Sequence, residues 1–211
     1  MFPEKLRLDD RAAVVTGGGR GIGLACCEAL AEAGARVVIA DIDMAVAEEG
    51  LSYLRRKGFA AETAPLDVTD SQAVRQLANT LVDLNGRIDI LVACAGIART
   101  GTPAENVTDE RWLNVNDVNY NGVFWCNRAF AAEWADRGVR VNAVAPTYIE
   151  TPLTKYAYET PGMVEARFRD TPMGRLEQPP EIASVVHFLA SDAASLMTGS
   201  VVVADGGFTC W

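Results

Sequence analysis

Five glycines near the N-terminus have the spacing of a site that binds a phosphate group. They lie in the run Thr16-Gly-Gly-Gly-Arg-Gly-Ile-Gly23, which follows a short β-branched stretch and leads directly into a helix-length segment. Backbone N–H groups at the start of a helix can face an anion, and glycines let the backbone approach a pyrophosphate closely. The run is spaced as TGxxxGxG and does not match the general fingerprint GxGxxG. It predicts a dinucleotide site.

One carboxylate is placed to select the ribose of that dinucleotide. Asp41 ends the second predicted strand, about 20 residues after the glycines, where a carboxylate accepts hydrogen bonds from both adenosine ribose hydroxyls. This favours NAD, because the 2′-phosphate of NADP would meet like-charge repulsion. Arg20 is a candidate counter-cation for that phosphate, so NADP stays the alternative.

These residues can meet only if a sheet brings the ends of its strands together. Short β-branched runs alternate with helix-length amphipathic stretches, which is the pattern of βαβ units around a parallel sheet. The sequence predicts one α/β domain over residues 1–211, with a single doubly wound, Rossmann-type parallel sheet and helices on both faces. Strands are predicted near residues 12–16, 36–40, 60–65, 88–93, 140–145 and 200–204, the first four buried on both faces.

Helices are predicted over residues 22–33, 44–57, 71–85 and 181–191, with one long helical stretch within 109–136. Gly34 and Gly58 are placed to end helices in the left-handed conformation, and Ser71 to cap the third helix. Pro180 suits a first helical turn. The segment 147–180 is rich in proline and longer than an ordinary connection, so we expect a mobile lid over a ligand.

Composition argues against several classes of function. The formal net charge of −9 and the absence of a Lys or Arg cluster make nucleic-acid binding unexpected. No apolar run reaches the ~18–20 residues of a membrane span, and the N-terminus is too polar for a signal peptide, so we expect a cytoplasmic protein. The five cysteines lack a metal-like spacing and are interpreted as reduced thiols. His187, the single histidine, is expected to be structural, and no metal site is predicted.

Several motifs together resemble the short-chain dehydrogenase/reductase family. Besides TGxxxGxG they are Leu66-Asp-Val68, Leu91-Val-Ala-Cys-Ala-Gly96, Asn114-Val-Asn-Asp-Val-Asn-Tyr-Asn-Gly122, Pro146-Thr-Tyr-Ile-Glu-Thr151 and a C-terminal run that includes Asp205-Gly-Gly207. Ala93, Cys94 and Thr147 depart from the family pattern, which has two asparagines and a glycine there. The tail that ends at Trp211 looks most like bacterial polyol and sugar-alcohol dehydrogenases.

The resemblance implies a role for each matching residue. Asn119 takes the position of the family's catalytic asparagine, which orders a proton-relay water. Ala95 and Gly96 line the adenosine, and Ile149 and Thr151 meet the carboxamide and the pyrophosphate. The complete set of residues expected to bind the cofactor is Gly17, Arg20, Gly21, Ile22, Gly23, Asp41, Asp67, Val68, Ala95, Gly96, Ile149 and Thr151.

The residues that should carry the family's chemistry are absent from the sequence. In the family a tyrosine is the general base, a lysine lowers its pKa, and a serine holds the substrate oxygen. Phe130 is followed at once by residues that resemble the end of the next helix, so about 40–45 residues, roughly one βα unit, are missing. The only Tyr-x-x-x-Lys match, Tyr53 with Lys57, ends the helix after the second strand and is interpreted as coincidental.

Two explanations of this absence stay open. Either the sequence is an incomplete copy of a longer chain, or it carries a true deletion that joins residues 123–130 to 131–136 as one continuous helix. A true deletion would remove a central strand and parts of two helices, and would expose apolar surface.

The first functional hypothesis is an NAD-dependent short-chain dehydrogenase that interconverts a secondary alcohol of a polyol or sugar with its ketone. The 211 residues as written are expected to be inactive, and the resemblance implies a homotetramer or a dimer. The alternatives are a 3-oxoacyl-type reductase that uses NADPH and a dinucleotide-binding protein without turnover.

Overall fold

The computed structural model describes residues 1–98, 102–130, 139–160 and 162–210. The strands within these ranges are β1 (Ala12–Thr16), β2 (Arg36–Asp41), β3 (Ala61–Pro65), β4 (Ile90–Ala93), β5 (Ala143–Pro146) and β6 (Val201–Ala204). The helices are α1 (Gly21–Glu32), α2 (Met44–Arg56), α3 (Ser71–Asn85), α4 (Asp109–Asn116), α5 (Gly122–Phe130), α6 (Lys155–Glu159), α7 (Met163–Asp170) and α8 (Pro179–Ala190). A π-helical turn, Asp117–Asn121, joins α4 to α5.

The strands are hydrogen-bonded in two parallel sheets. Four of them follow the order β3-β2-β1-β4, and β5 pairs with β6. All four strand pairings among the described residues are parallel. The predicted α/β, Rossmann-type architecture is therefore confirmed. The sheet differs from the prediction in one respect, because β4 and β5 do not pair with each other within the described part of the chain.

Helices cover both faces of the sheet because β1 directs apolar side chains to both. Ala13 and Val15 join a core with residues of α1, α2 and α8. Val14, which points the opposite way, joins a second core with residues of α3 and α5. All five residues of β1 are buried, so this strand holds the two layers together.

The predictions of local structure are confirmed for the glycines that end helices, and they are wrong for the burial of β3 and for the N-terminal cap of α3. Gly34 and Gly58 have φ of 110° and 86°, as their positions after helices predict. The prediction that β3 is buried on both faces is wrong, because β3 is an edge strand with Glu62 exposed. The prediction that Ser71 caps α3 is also wrong. Asp70 caps this helix, and its carboxylate accepts from the N–H groups of residues 72 and 73 at 2.8 and 3.1 Å.

A cavity of about 970 Å³ separates β4 from β5. Its lining includes Leu91 and Val92 of β4 and Val144 of β5, with Val186 of α8 and Phe130 of α5. This cavity leaves β4 less buried than predicted, since only Ile90 is fully covered. The continuous helix expected over residues 123–136 is described as far as Phe130, and residues 131–138 lie outside the described part.

The predicted lid contains short helices between two tethered ends. Thr151 precedes the 3₁₀ turn Pro152–Thr154, and α6 and α7 follow. Ile149 pairs with Glu177 in an isolated bridge, so the two ends of the segment meet. The mobility of this lid stays a prediction. No described helix combines the length and the apolar character needed to cross a membrane.

Candidate dinucleotide-binding site

The glycine run forms a tight turn between β1 and α1. Gly17 and Gly21 have φ of 64° and 57°, which is left-handed backbone that favours glycine. A Cβ on Gly17 would lie 2.8 Å from the Cα of Ala95, so the turn packs against the end of β4. The Arg20 side chain makes no capping hydrogen bond at the start of α1, and the helix begins at Gly21. The first N–H groups of a helix have no partner within the helix, so those of α1 are the groups that can face an anion.

Gly23 marks the closest approach in the turn. A Cβ built on this residue would lie 2.1 Å from the carbonyl oxygen of Gly17 and 3.0 Å from the Cα of Gly18. Both atoms belong to the backbone, so a side chain at residue 23 requires the turn itself to move. This conformation of the turn therefore requires a residue without a Cβ at position 23, six residues after Gly17.

The structure places the Asp41 carboxylate beside the glycine turn. Its Oδ2 accepts from the N–H of Gly19 at 3.1 Å, and its Oδ1 accepts from the N–H of Asp43 at 3.1 Å. The side chain is partly exposed, which leaves lone pairs of both oxygens available to a ligand. Arg20 is exposed on the same turn, so the sequence-based candidate for a phosphate partner is also accessible.

The ends of β1 and β4 are joined by a buried hydroxyl. Oγ1 of Thr16 accepts from the N–H groups of Cys94 and Ala95 at 3.1 and 3.2 Å. Thr16 is only 1% exposed, so these bonds fix the strand ends without competition from water. They hold Ala95 and Gly96 next to the glycine turn, which is where the sequence analysis puts the adenosine.

Asn119 is held against the segment that follows β4. Its Nδ2 donates to the carbonyl of Ile97 and its Oδ1 accepts from the N–H of Ile97, both at 2.8 Å. The residue lies in the π-helical turn between α4 and α5, and such turns are frequent at functional sites. Both groups of the amide thus contact the backbone that follows the carboxyl end of β4.

Of the remaining residues predicted to bind the cofactor, Thr151 lies close to the glycine turn, whereas Asp67 and Val68 have their contacts elsewhere. Thr151 lies 3.5 Å from the position of a Cβ on Gly21, so the start of the lid reaches the start of α1. Ile149, two residues earlier, is buried. Asp67 instead uses its Oδ1 within its own turn, where it accepts from the N–H and hydroxyl of Thr69. Val68 is buried in the core with α3 and α5. Ile22 is half-buried and lines the cavity between β4 and β5.

The Tyr53–Lys57 pair is engaged elsewhere. The Tyr53 hydroxyl donates to Oε2 of Glu28 at 2.9 Å, and the Lys57 ammonium forms an ion pair with Oε1 of the same carboxylate. The hydrogen bond to Glu28 raises the pKa of Lys57 above its usual value. This cluster joins α1 to the end of α2 and contains no contact with Asn119. Lys155 of the lid pairs with Glu159 at 3.5 Å on its own helix.

The buried thiols are poor candidates for a catalytic base or nucleophile. Burial raises the pKa of Cys26 to about 12 and those of Cys94 and Cys126 to about 11. Such thiols stay protonated near neutral pH and are poor nucleophiles. The Nε2 atom of His187 lies 2.7 Å from the carbonyl oxygen of Leu6 in the N-terminal 3₁₀ turn, as a structural histidine would. Within the described ranges, no three His, Cys, Asp or Glu side chains come together as a metal centre requires.

Sequence reasoning missed Glu177, whose carboxylate is buried at the base of the lid. The residue is 6% exposed, and its Oε1 has no hydrogen-bond partner among the described residues. Burial raises the pKa of this carboxyl, and the negative charges of Glu181 and Asp205 raise it further. Glu181 is near in sequence, but only the chain's return from the lid to β6 brings Asp205 close to Glu177, so no local pattern signals that proximity.

We expect Glu177→Gln to stabilise the protein at pH 8 by about 1 kcal/mol, because it removes a buried charge whose Oε1 atom has no hydrogen-bond partner among the described residues. The folded carboxyl holds its proton more tightly than the unfolded one. The contribution of the Glu177 carboxyl to the free energy of unfolding is therefore present at low pH, and it is lost as the pH rises through the raised pKa. Thermal unfolding at pH 5 and pH 8 should show a gain for the variant that is larger at pH 8.

The matched control is Glu181→Gln. The Glu181 carboxylate accepts from the Arg175 guanidinium and from the N–H of Gln178, and these bonds lower its pKa to about 2. Its removal should lower the melting temperature at pH 8. A lower melting temperature for Glu177→Gln at pH 8 would contradict the assignment of an unsatisfied charge.

Comparison with known families identifies the class of protein. The family model described as short chain dehydrogenase matches residues 11–133, and one described as Enoyl-(Acyl carrier protein) reductase matches residues 126–209. The chain belongs to the short-chain dehydrogenase family and is an oxidoreductase of that type. The family members bind a nicotinamide dinucleotide.

Among curated relatives, galactitol 2-dehydrogenase of Rhizobium johnstonii is 44% identical, in an alignment that covers 100% of this chain and 99% of the relative. The L-tagatose-forming galactitol 2-dehydrogenase of Cereibacter sphaeroides is 37% identical, with 97% of each chain covered. A gluconate 5-dehydrogenase of Burkholderia cenocepacia, crystallised with NADP and tartrate, is 31% identical with a TM-score of 0.92, covering 99% of this chain and 98% of that one. The chain thus resembles polyol dehydrogenases.

Proposed function

We propose that this protein is an NAD-dependent short-chain dehydrogenase of the kind that interconverts a polyol such as galactitol with its ketone, and that it is catalytically incomplete in these 211 residues. The observation that carries the cofactor part is the Asp41 carboxylate, which is fixed at 3.1 Å from the N–H of Gly19 in the glycine turn. A carboxylate at this position accepts the ribose hydroxyls of NAD and repels the 2′-phosphate of NADP. The polyol class is supported by the two galactitol 2-dehydrogenases among the relatives.

We further propose that the 211-residue chain lacks the segment that carries the catalytic serine, tyrosine and lysine. The alignment with the Rhizobium johnstonii enzyme runs over 256 residues, so at least 45 of its positions have no counterpart in this chain of 211 residues. Among the described residues β4 and β5 do not pair with each other, and the cavity that separates them supports a missing strand at this place in the sheet.

The cofactor proposal predicts that Asp41→Ala weakens NAD binding by about 1–2 kcal/mol, or roughly 5–30-fold, through the loss of charged hydrogen bonds. The same change should reduce the difference between the affinities for NAD and for NADP, since it also removes the repulsion between Asp41 and the 2′-phosphate of NADP. Isothermal titration of both coenzymes into both proteins measures this. Asp83→Ala, on the exposed face of α3, is the matched control and should leave both affinities unchanged.

Asp41→Asn distinguishes the effect of the Asp41 charge on coenzyme binding from the effect of its hydrogen bonds. It keeps an acceptor oxygen but removes the repulsion, so the affinity for NADP should rise more than that for NAD falls. Tighter binding of NADP than of NAD by the unmodified protein would overturn the assignment of NAD. In that case Arg20, exposed on the turn, would be the first candidate partner of the 2′-phosphate.

The alternative activity is reduction of a 3-oxoacyl substrate with NADPH; the family model that matches residues 126–209 is described as an Enoyl-(Acyl carrier protein) reductase and thus names a reductase of acyl substrates. This activity requires a preference for NADP, so the same titration decides between the two. A homo-oligomer is supported by the exposed apolar side chains of Trp112, Leu113, Tyr120 and Phe124 along α4, the π-helical turn and α5. A molar mass above that of one chain in light scattering would establish it.

A further inference from the structure

The glycine turn packs closely against the middle of α2. A Cβ on Gly50 of this helix would lie 3.0 Å from the carbonyl oxygen of Gly19 and 3.4 Å from its Cα. From the other side, a Cβ on Gly19 would lie 2.8 Å from Cγ1 of Val46 and 3.0 Å from the backbone nitrogen of Ala47. Both glycines are buried. A side chain at either position would therefore push the turn and the helix apart.

The local conformation of α2 does not account for a glycine at position 50. The residue lies inside the helix and has no positive φ that would favour glycine. In a helix interior glycine is less favourable than alanine, because it loses more conformational freedom on folding. The contact with Gly19 is the feature of the structure that requires a residue without a Cβ at this position.

The residue of the turn that Gly50 contacts also holds the Asp41 carboxylate. The N–H of Gly19 donates to Oδ2 of Asp41 at 3.1 Å. The other carboxylate oxygen, Oδ1, accepts from the N–H of Asp43 at 3.1 Å, and Asp43 is the N-terminal cap of α2. The two donors to the carboxylate therefore belong to the glycine turn and to the start of α2, which are the two elements that meet at Gly50.

We propose that Gly50 is a positioning residue for the choice of coenzyme, because it lets the glycine turn and α2 hold the Asp41 carboxylate between them. A larger residue at position 50 forces one of these elements to move. If the turn moves, Oδ2 loses its donor Gly19, and if α2 moves, Oδ1 loses its donor Asp43. The coenzyme must then order the carboxylate itself, and a carboxylate that can turn away repels a 2′-phosphate less. The inference rests on the proposed function, since it concerns the same site at Asp41.

The test is the ratio of the affinities for NAD and NADP, measured by isothermal titration of both coenzymes into the unmodified protein and into Gly50→Val. The ratio should shift toward NADP by about threefold or more, which lies within the coupling usual for residues in contact. Gly50→Ala should shift it in the same direction by about twofold, and it decides alone if Gly50→Val does not fold. A residue with only a structural role would weaken the binding of both coenzymes alike and leave their ratio unchanged.

Two further variants distinguish positioning from a general loss of stability. Leu54→Ala is the matched control, because Leu54 lies one turn after Gly50 on the buried face of α2. It opens a cavity in the core and should lower the melting temperature, but it adds no atom beside Gly19 and should leave the ratio unchanged. Gly50→Val combined with Asp41→Ala should have the same ratio as Asp41→Ala alone, because the carboxylate through which Gly50 acts is then absent.

The outcomes separate this inference from the proposed function. If Asp41→Ala changes the ratio but the Gly50 variants do not, the role of Gly50 is overturned and the assignment of NAD stands. If Asp41→Ala leaves the ratio unchanged, both are overturned. A shift caused by Leu54→Ala, or a shift by Gly50→Val that persists without the Asp41 carboxylate, also overturns the positioning role. A shift that occurs only when Asp41 is present supports both proposals.

Discussion

A molecule of these 211 residues is expected to bind NAD and to oxidise no polyol at an enzyme-like rate. Asn119 holds the backbone of Ile97 but cannot remove a hydroxyl proton near neutral pH. General-base catalysis alone is commonly worth ~10²–10⁴ in rate. Tyr53 and Lys57, which have the required spacing, are bound to Glu28 on α1.

The measurement follows NADH absorbance with galactitol and other polyols, after the intact mass and NAD binding of the protein have been confirmed. Turnover of around 1 s⁻¹ or more would refute the expectation. Tyr148, in the motif that follows β5, is the phenol nearest in sequence to the expected nicotinamide site. Loss of such turnover in Tyr148→Phe, with NAD affinity unchanged, would identify this residue as the base.

Gly23→Ala is expected to have the second largest effect, on NAD affinity. The added Cβ would lie 2.1 Å from the carbonyl oxygen of Gly17, so the glycine turn, which is expected to face the pyrophosphate, must move. Forced rearrangements of this kind typically cost about 1–3 kcal/mol. We therefore expect a fall in NAD affinity of roughly 5–150-fold, together with a lower melting temperature.

The matched control is Gly86→Ala, at the end of α3. Gly86 also has a positive φ, 75°, but a Cβ there would meet no atom within 4 Å among the described residues. This variant should lower the melting temperature through backbone strain and leave NAD affinity unchanged. Unchanged NAD affinity in Gly23→Ala would show that the glycine turn does not form the dinucleotide site.

The sequence by itself determined the elements whose signals are local. Periodicity placed β1 and α3 at the residues where the structure has them, Ala12–Thr16 and Ser71–Asn85. The glycines fixed the turn before α1, because only glycine tolerates the contact between residues 23 and 17. Asp41 was also predicted from a local signal, because one helix and one strand set its distance in sequence from the glycine turn.

The tertiary structure decided what depends on neighbours distant in sequence. The exposure of β3 follows from its place at the edge of the sheet, and the burial of Glu177 from the return of the lid toward β6. The separation of β4 from β5 also appears only in three dimensions. The sequence predicts that a segment is absent, but only the folded chain shows that β4 and β5, which do not pair with each other among the described residues, lie on opposite sides of one cavity. Hydrogen bonds between strands join residues far apart in sequence, so no local pattern records whether they form.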